Sequence, residues 1–319
     1  MKNRKYYLLT LLVLCLAGFS ESGFQFGPIN EIKKRIKDLK KHSETEEAKK
    51  ISWKELDSQL SGSYSGNNKL ITKNSPYILN GSVQFIDCNT EISAGVYVRG
   101  AAEESIRFEG GTLKILGSKS LPIVFTTENR TPNLVTNRGD WEGIVISECE
   151  ADIDWAEFKF SKTGLKVTSV CDINNSIFEY NSVNGAIIGD TNSVSPYTVT
   201  LTNCVASNNS SAGVKITGPT VTAVIKYSQI NNNDDNAVSI LELNALTFRN
   251  NNVDYTGTGK LISNRDLDYT VLVSSNWWST TSTTTIDTGM VDSSVNPGLY
   301  GPIVFEPILQ STVSTAGLE

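Results

Sequence analysis

From Gly143 onward, short runs of alternating apolar and polar residues restart every twenty-odd positions. A Gly or Ala opens each run: Gly143–Ile146, Gly164–Val167, Gly185–Ile188, Gly213–Ile216, Ala237–Ile240 and Gly259–Ile262. A second alternation follows and ends in Ser or Asn. Ala156–Phe158 leads to Ser161, Ser176–Phe178 to Asn181, Cys204–Ala206 to Asn209 and Ser228–Ile230 to Asn233. The last two units lead to the Asn250–Asn252 run and to Asn276. Successive openings lie 21, 21, 28, 24 and 22 residues apart. A period of two along short segments means strands, and short strands repeating at this interval mean a solenoid.

The repeat predicts which side chains face inward. Leu165, Val167, Ile173, Ser176 and Phe178 point into the coil, and Lys166 and Asn174 point out. A single coil cannot bury its inner face. Stacked at about 4.8 Å on its neighbours, it forms parallel sheets around a narrow core. Ile144, Leu165, Val214 and Val238 are expected in one inner row, and Phe158, Phe178 and Ile230 in another. Val145, Lys166, Ile187, Lys215 and Ser239 form an outward row. The recurring Asn is expected as a ladder at one corner, each amide bonding the next coil. The recurring Gly is expected to tolerate a tight corner.

The first seventy residues follow other rules. Lys2, Arg4 and Lys5 precede the apolar run Tyr6–Ala17, the pattern of an export signal. Cys15 raises the alternative of a lipoprotein, against which stands Leu14, a large residue where a small one is usual before a lipidated Cys. No other stretch is apolar enough to cross a membrane, so no transmembrane anchor is expected once the signal is cleaved. Ile29, Ile32, Ile36 and Leu39 fall on one helical face, and Ser52 with Glu55 reads as a capping box. The expected organisation is a signal over 1–22, a helical segment capping the solenoid over 23–70, the solenoid over 71–309 and a tail over 310–319. The fold class is all-β.

The segments Ile71–Leu79, Ile92–Val98, Gly111–Gly117, Pro122–Thr126 and Trp141–Ile144 carry a resemblance. So do the closing segments Asn276–Trp278 and Pro302–Pro307. Together they resemble secreted right-handed parallel β-helix repeat proteins of the pectin-lyase-like superfamily, over roughly residues 70–309. The resemblance implies a right-handed β-helix and export. It does not imply one activity, because folds of this kind host lyases, hydrolases, epimerases and proteins without catalysis.

The catalytic sets of that superfamily have only partial counterparts in this chain. Asp234 and Asp235 resemble the paired carboxylates of the β-helical polygalacturonases, where two acids supply a general acid and an activating base. The partners of that set, a Gly-His-Gly and an Arg-x-Lys, are absent; the sole histidine, His42, precedes the coils. Pectate lyases hold calcium between carboxylates of neighbouring coils, beside a basic residue. Asp152, Asp154 and Asp172 are the candidates for such a calcium site, which needs six to eight oxygens. Lys166 and Lys215 are the cations on the outward row, placed to bind an anionic glycan.

The remaining chemistry is sparse. Cys149 and Cys171 fall near equivalent positions of adjacent coils and could form a disulfide in an oxidising compartment. Cys204 occupies the small inward slot held by Ala156, Ser176 and Ser228 in sister coils, and Cys88 has no obvious partner. Trp277 and Trp278 could cover the last coil or offer a sugar-stacking face. Charged residues make up 19% of the chain and the net charge is −6, which disfavours nucleic acid and anionic membranes. The resulting expectation is a non-catalytic exported β-helix presenting an elongated surface to a glycan or partner, adhesin-like or envelope-associated. The alternatives are a polysaccharide lyase or glycoside hydrolase with a diverged site, and a purely structural envelope component.

Overall fold

Parallel register runs through the whole chain of strands. In the computed structural model, which describes residues 52–129, 136–254 and 259–319, Leu165 lies beside Ile144 on one side and Ala186 on the other. Ala186 pairs with Val214 and Val214 with Val238, so the first expected inner row forms with Ala186 in its middle. The second row runs Phe125, Phe158, Phe178, Ala206, Ile230. These strands make about nine turns of a parallel solenoid. The expected signal segment, Cys15, His42 and the helical face from Ile29 to Leu39 lie outside the described residues.

Each turn contributes to three sheets in the same order. Strands such as Trp141–Ser147, Ser161–Val167, Asn184–Ile188 and Ala212–Thr217 form the first sheet. Glu150–Asp154, Cys171–Asn174, Tyr197–Thr202 and Val221–Lys226 form the second. Ala156–Lys159, Ile177–Glu179, Val205–Ser207 and Gln229–Asn231 form the third. Like residues stack on like: the Phe125, Phe158 and Phe178 rings lie parallel with centroids 5.3 and 5.1 Å apart. Tyr64, Phe85 and Phe108 repeat this near the first coils at 5.0 and 4.9 Å. Ring spacing so close to the strand spacing lets each aromatic bury both faces against its neighbours.

The polar ladders occupy two corners, where one was expected. Between the third and first sheets, Ser161, Asn181, Asn209 and Asn233 stack: Asn181 Nδ2 donates to Asn209 Oδ1 and Asn209 Nδ2 to Asn233 Oδ1, both at 2.9 Å. Between the second and third sheets, Asn251 Nδ2 donates to Asn276 Oδ1 at 3.0 Å, continuing a column of Ser176, Cys204 and Ser228. Each ladder residue follows one residue with a left-handed backbone, such as Tyr180 (φ 57°) before Asn181 or Tyr227 (φ 51°) before Ser228. Of the recurring glycines Gly143 has a positive φ (108°), while Gly164, Gly185, Gly213 and Gly259 do not and answer to something other than corner strain. A Cβ at Gly185 would lie 2.6 Å from the carbonyl oxygen of Gly213 and 2.8 Å from Asn209 Nδ2. At these positions it is the close approach of stacked backbones beside the ladder that requires glycine.

The solenoid begins earlier than expected. Lys54–Glu55, Gln59–Tyr64 and Asn67–Leu70 are strands, so the capping-box reading of Ser52 and Glu55 does not hold. Leu56, Leu60 and Leu70 are buried, and Asn67–Leu70 pairs with Asn89–Ile92 of the next coil. Cross-coil pairing and burial override a local helix signal. At the other end the helix Thr283–Gly289 buries Ile286, and Trp278 stacks on Phe248 inside the last coil at 6.3 Å. The tail then climbs back over three coils. The Leu309 amide bonds the Asn276 carbonyl, Val313 exchanges two bonds with the Asn252 side chain, and the Gly317 amide bonds the Tyr227 carbonyl.

Candidate functional site

The outward row of the first sheet carries three cations across successive coils. Register places Arg107 beside Val145, Val145 beside Lys166, Lys166 beside Ile187, Ile187 beside Lys215 and Lys215 beside Ser239. Arg107, at the head of the row, carried no sequence signal, because its coil precedes the regular repeat. Cations thus recur on alternate coils with a half-buried aliphatic side chain between each pair. Among the described residues, neither Arg107 nor Lys215 takes part in an ion pair. Lys166 does: its Nζ donates to Asp190 Oδ2 at 2.8 Å. That hydrogen bond, with one from the Asn192 amide, holds the Asp190 carboxyl below the usual carboxylate range. Asp190 belongs to the loop between Asn184–Ile188 and Tyr197–Thr202, which accounts for the single 28-residue interval.

The other candidate acids are engaged at corners or spread along a strand. Asp234 lies at the exposed turn after Gln229–Asn231, where its Oδ2 accepts from Arg138 at 3.2 Å. Arg138 also donates to Ser210 Oγ at 2.8 Å and lies over the Tyr180 ring. Asp235 accepts from Ser211 Oγ at 3.5 Å. Both acids sit after the strand Gln229–Asn231, and the pair reads as a corner turn. Asp152 and Asp172 are direct register neighbours, while Asp154 pairs with Asn174 two positions along and accepts from Asn175 Nδ2 at 2.9 Å. The separation disperses the three, and no group of three His, Cys, Asp or Glu among the described residues is placed to hold a metal ion. Burial and then the Asp172 charge push the Asp152 carboxyl up.

Among the described residues, Cys88, Cys149, Cys171 and Cys204 are free and buried. Cys171 stacks on Ala151, which leaves Cys149 two residues out of register and the expected disulfide unformed. A one-coil step combined with a two-residue offset puts the Cα atoms about 8 Å apart, beyond disulfide reach. Burial pushes the Cys149 thiol up to about 11 and Cys204 up to about 12, so both stay protonated and unreactive. Trp278 is buried against Phe248 and closes the coil, while Trp277 is half-buried beside it.

Residues 133–290 match the family model described as right handed beta helix region. This chain is a right-handed parallel β-helix protein. The pectin-lyase-like superfamily that the sequence resembles fits both the match and the stacked sheets of the β-helix. No curated protein and no solved structure matches the chain. No helix among the described residues of the β-helix is long and apolar enough to cross a membrane.

Proposed function

We propose that this β-helix is an exported binding protein without catalytic turnover, whose first-sheet face engages a glycan or a glycan-bearing surface. One observation carries the reading: Asp234 and Asp235 are engaged by Arg138 and Ser211 at a corner and the three strand acids form no metal-holding group, whereas among the described residues the cations Arg107 and Lys215 form no ion pair on a parallel sheet. General acid–base catalysis needs a tuned group within hydrogen-bond reach of the bond it acts on, and Asp234 and Asp235 are instead engaged by Arg138 and Ser211. A repeating flat face suits an extended ligand, because each coil offers an equivalent row position. Any anionic group on that ligand is held by screened, salt-sensitive attraction. Calcium, a second polysaccharide-contacting face and membrane lipidation are not needed for this reading. It is tested by incubating the purified protein with neutral and acidic polysaccharides and following both binding and new unsaturated or reducing ends. Binding without product formation is expected. Turnover that disappears in Asp234→Asn or Asp235→Asn would overturn it.

A further inference from the structure

We infer that the ligand of the first-sheet face is a linear acidic polysaccharide whose carboxylates recur on every second sugar, lying along the solenoid axis over Arg107, Val145, Lys166, Ile187 and Lys215. This rests on the binding reading above and specifies its ligand. Strands of adjacent coils lie about 4.8 Å apart, so cations on alternate coils recur at about 9.6 Å. That interval is close to the length of one extended disaccharide. Between the cations stand Val145 and Ile187, half-buried and flush with the sheet. They present an apolar surface to the carbon-rich face of an uncharged sugar. A polymer charged on every sugar would set carboxylates against these two side chains, where they lose hydration without gaining a partner. The axial direction follows from the row itself, which crosses five coils through one equivalent position.

Asp190 adds a competitor built into the site. Its loop is the extra length of the 28-residue interval, and it reaches back one coil to occupy Lys166 at 2.8 Å. A ligand carboxylate at the middle of the row must displace it, while Arg107 and Lys215 at the ends form no ion pair among the described residues. Removing the Asp190 charge should therefore tighten binding, an effect that misfolding cannot imitate.

The experiment measures affinity by calorimetry for three oligosaccharides of equal length: hyaluronan fragments, with one carboxylate per disaccharide; the same fragments with carboxyls reduced; and oligogalacturonate, charged on every sugar. Hyaluronan fragments are expected to bind most tightly and to weaken with added salt. Asp190→Asn should tighten hyaluronan binding by about threefold, the size of one exposed ion pair. Arg107→Glu with Lys215→Glu should weaken it by about tenfold or more, with an unchanged thermal unfolding midpoint. Equal binding of oligogalacturonate, or affinity indifferent to the Asp190 and charge-reversal variants, would overturn the inference and leave the glycan-binding reading standing. Failure of all three oligosaccharides, together with a wider panel of neutral and acidic polysaccharides, would overturn both.

Discussion

The outer faces of the first and second sheets are built from the same stacking rule and end with opposite electrostatics. On the second sheet, register gives the column Glu55, Lys69, Glu91, Lys114, Asp152, Asp172. Opposite charges alternate down most of it, and Lys69 pairs with Glu91 at 3.1 Å. On the first sheet, Arg107, Lys166 and Lys215 alternate with Val145 and Ile187, and among the described residues only Lys166 finds an acid, supplied from a loop. Because a parallel solenoid sets each residue directly over its counterpart, every outer column is a one-dimensional charge sequence with a fixed step. A column that neutralises itself serves cohesion between coils. A column whose cations are held apart by aliphatic spacers gains nothing for cohesion, and that is the mark of a face directed outward.

This contrast can be put under strain, and the largest effects should come from the interior that both sheets share. Phe178→Ala removes the ring stacked on Phe158 and leaves a cavity that rigid coils cannot close, so a loss of about 3–5 kcal/mol is expected from denaturant midpoints. Asn209→Ala strips a buried rung that bonds Asn233, Asn181 and the Phe178 carbonyl, and leaves partners unsatisfied. A loss of about 2–3 kcal/mol is expected in the same assay.

The surface columns should then separate. Lys114→Glu would set four acids in succession down the second sheet and is expected to cost up to about 1 kcal/mol. Lys215→Glu on the first sheet should stay within about 0.5 kcal/mol. Equal costs for the two reversals would erase the distinction between the faces.

The smallest effect is a titration. Asp152 and Asp172 stand side by side without a cation between them, and the Asp152 carboxyl is raised by burial and by Asp172. A folded value above the unfolded one means that stability is lost as pH rises from the ordinary aspartate range through the raised value. In Asp172→Asn, carboxylate NMR should show Asp152 titrating closer to its ordinary value. No movement would mean that burial alone sets it.

Much of this architecture was legible in the chain. The glycine openings and the alternation after them located the inner rows, and the small residues Ala186 and Ala206 simply take the places of larger ones within those rows. Three things were not. The first coil, near Ser52 to Leu70, carries local helix signals, and only its pairing with the next coil makes it a strand. The assignment of Asn250–Asn252 and Asn276 to the Asn181 corner failed because two corners use the same device, a left-handed residue followed by a ladder residue. The competitor at the candidate site, Asp190, was invisible as chemistry. Its only trace was the one long interval, which marks an inserted loop without saying where its carboxylate reaches.

The most direct measurement is amide hydrogen exchange of the β-helix with and without a saturating hyaluronan fragment. Protection is predicted along the first sheet, in Ser105–Glu109, Trp141–Ser147, Ser161–Val167, Asn184–Ile188 and Ala212–Thr217, with little change in Glu150–Asp154 and Cys171–Asn174 of the second. Protection concentrated on the second sheet, or at the Asp234 corner, would contradict the account.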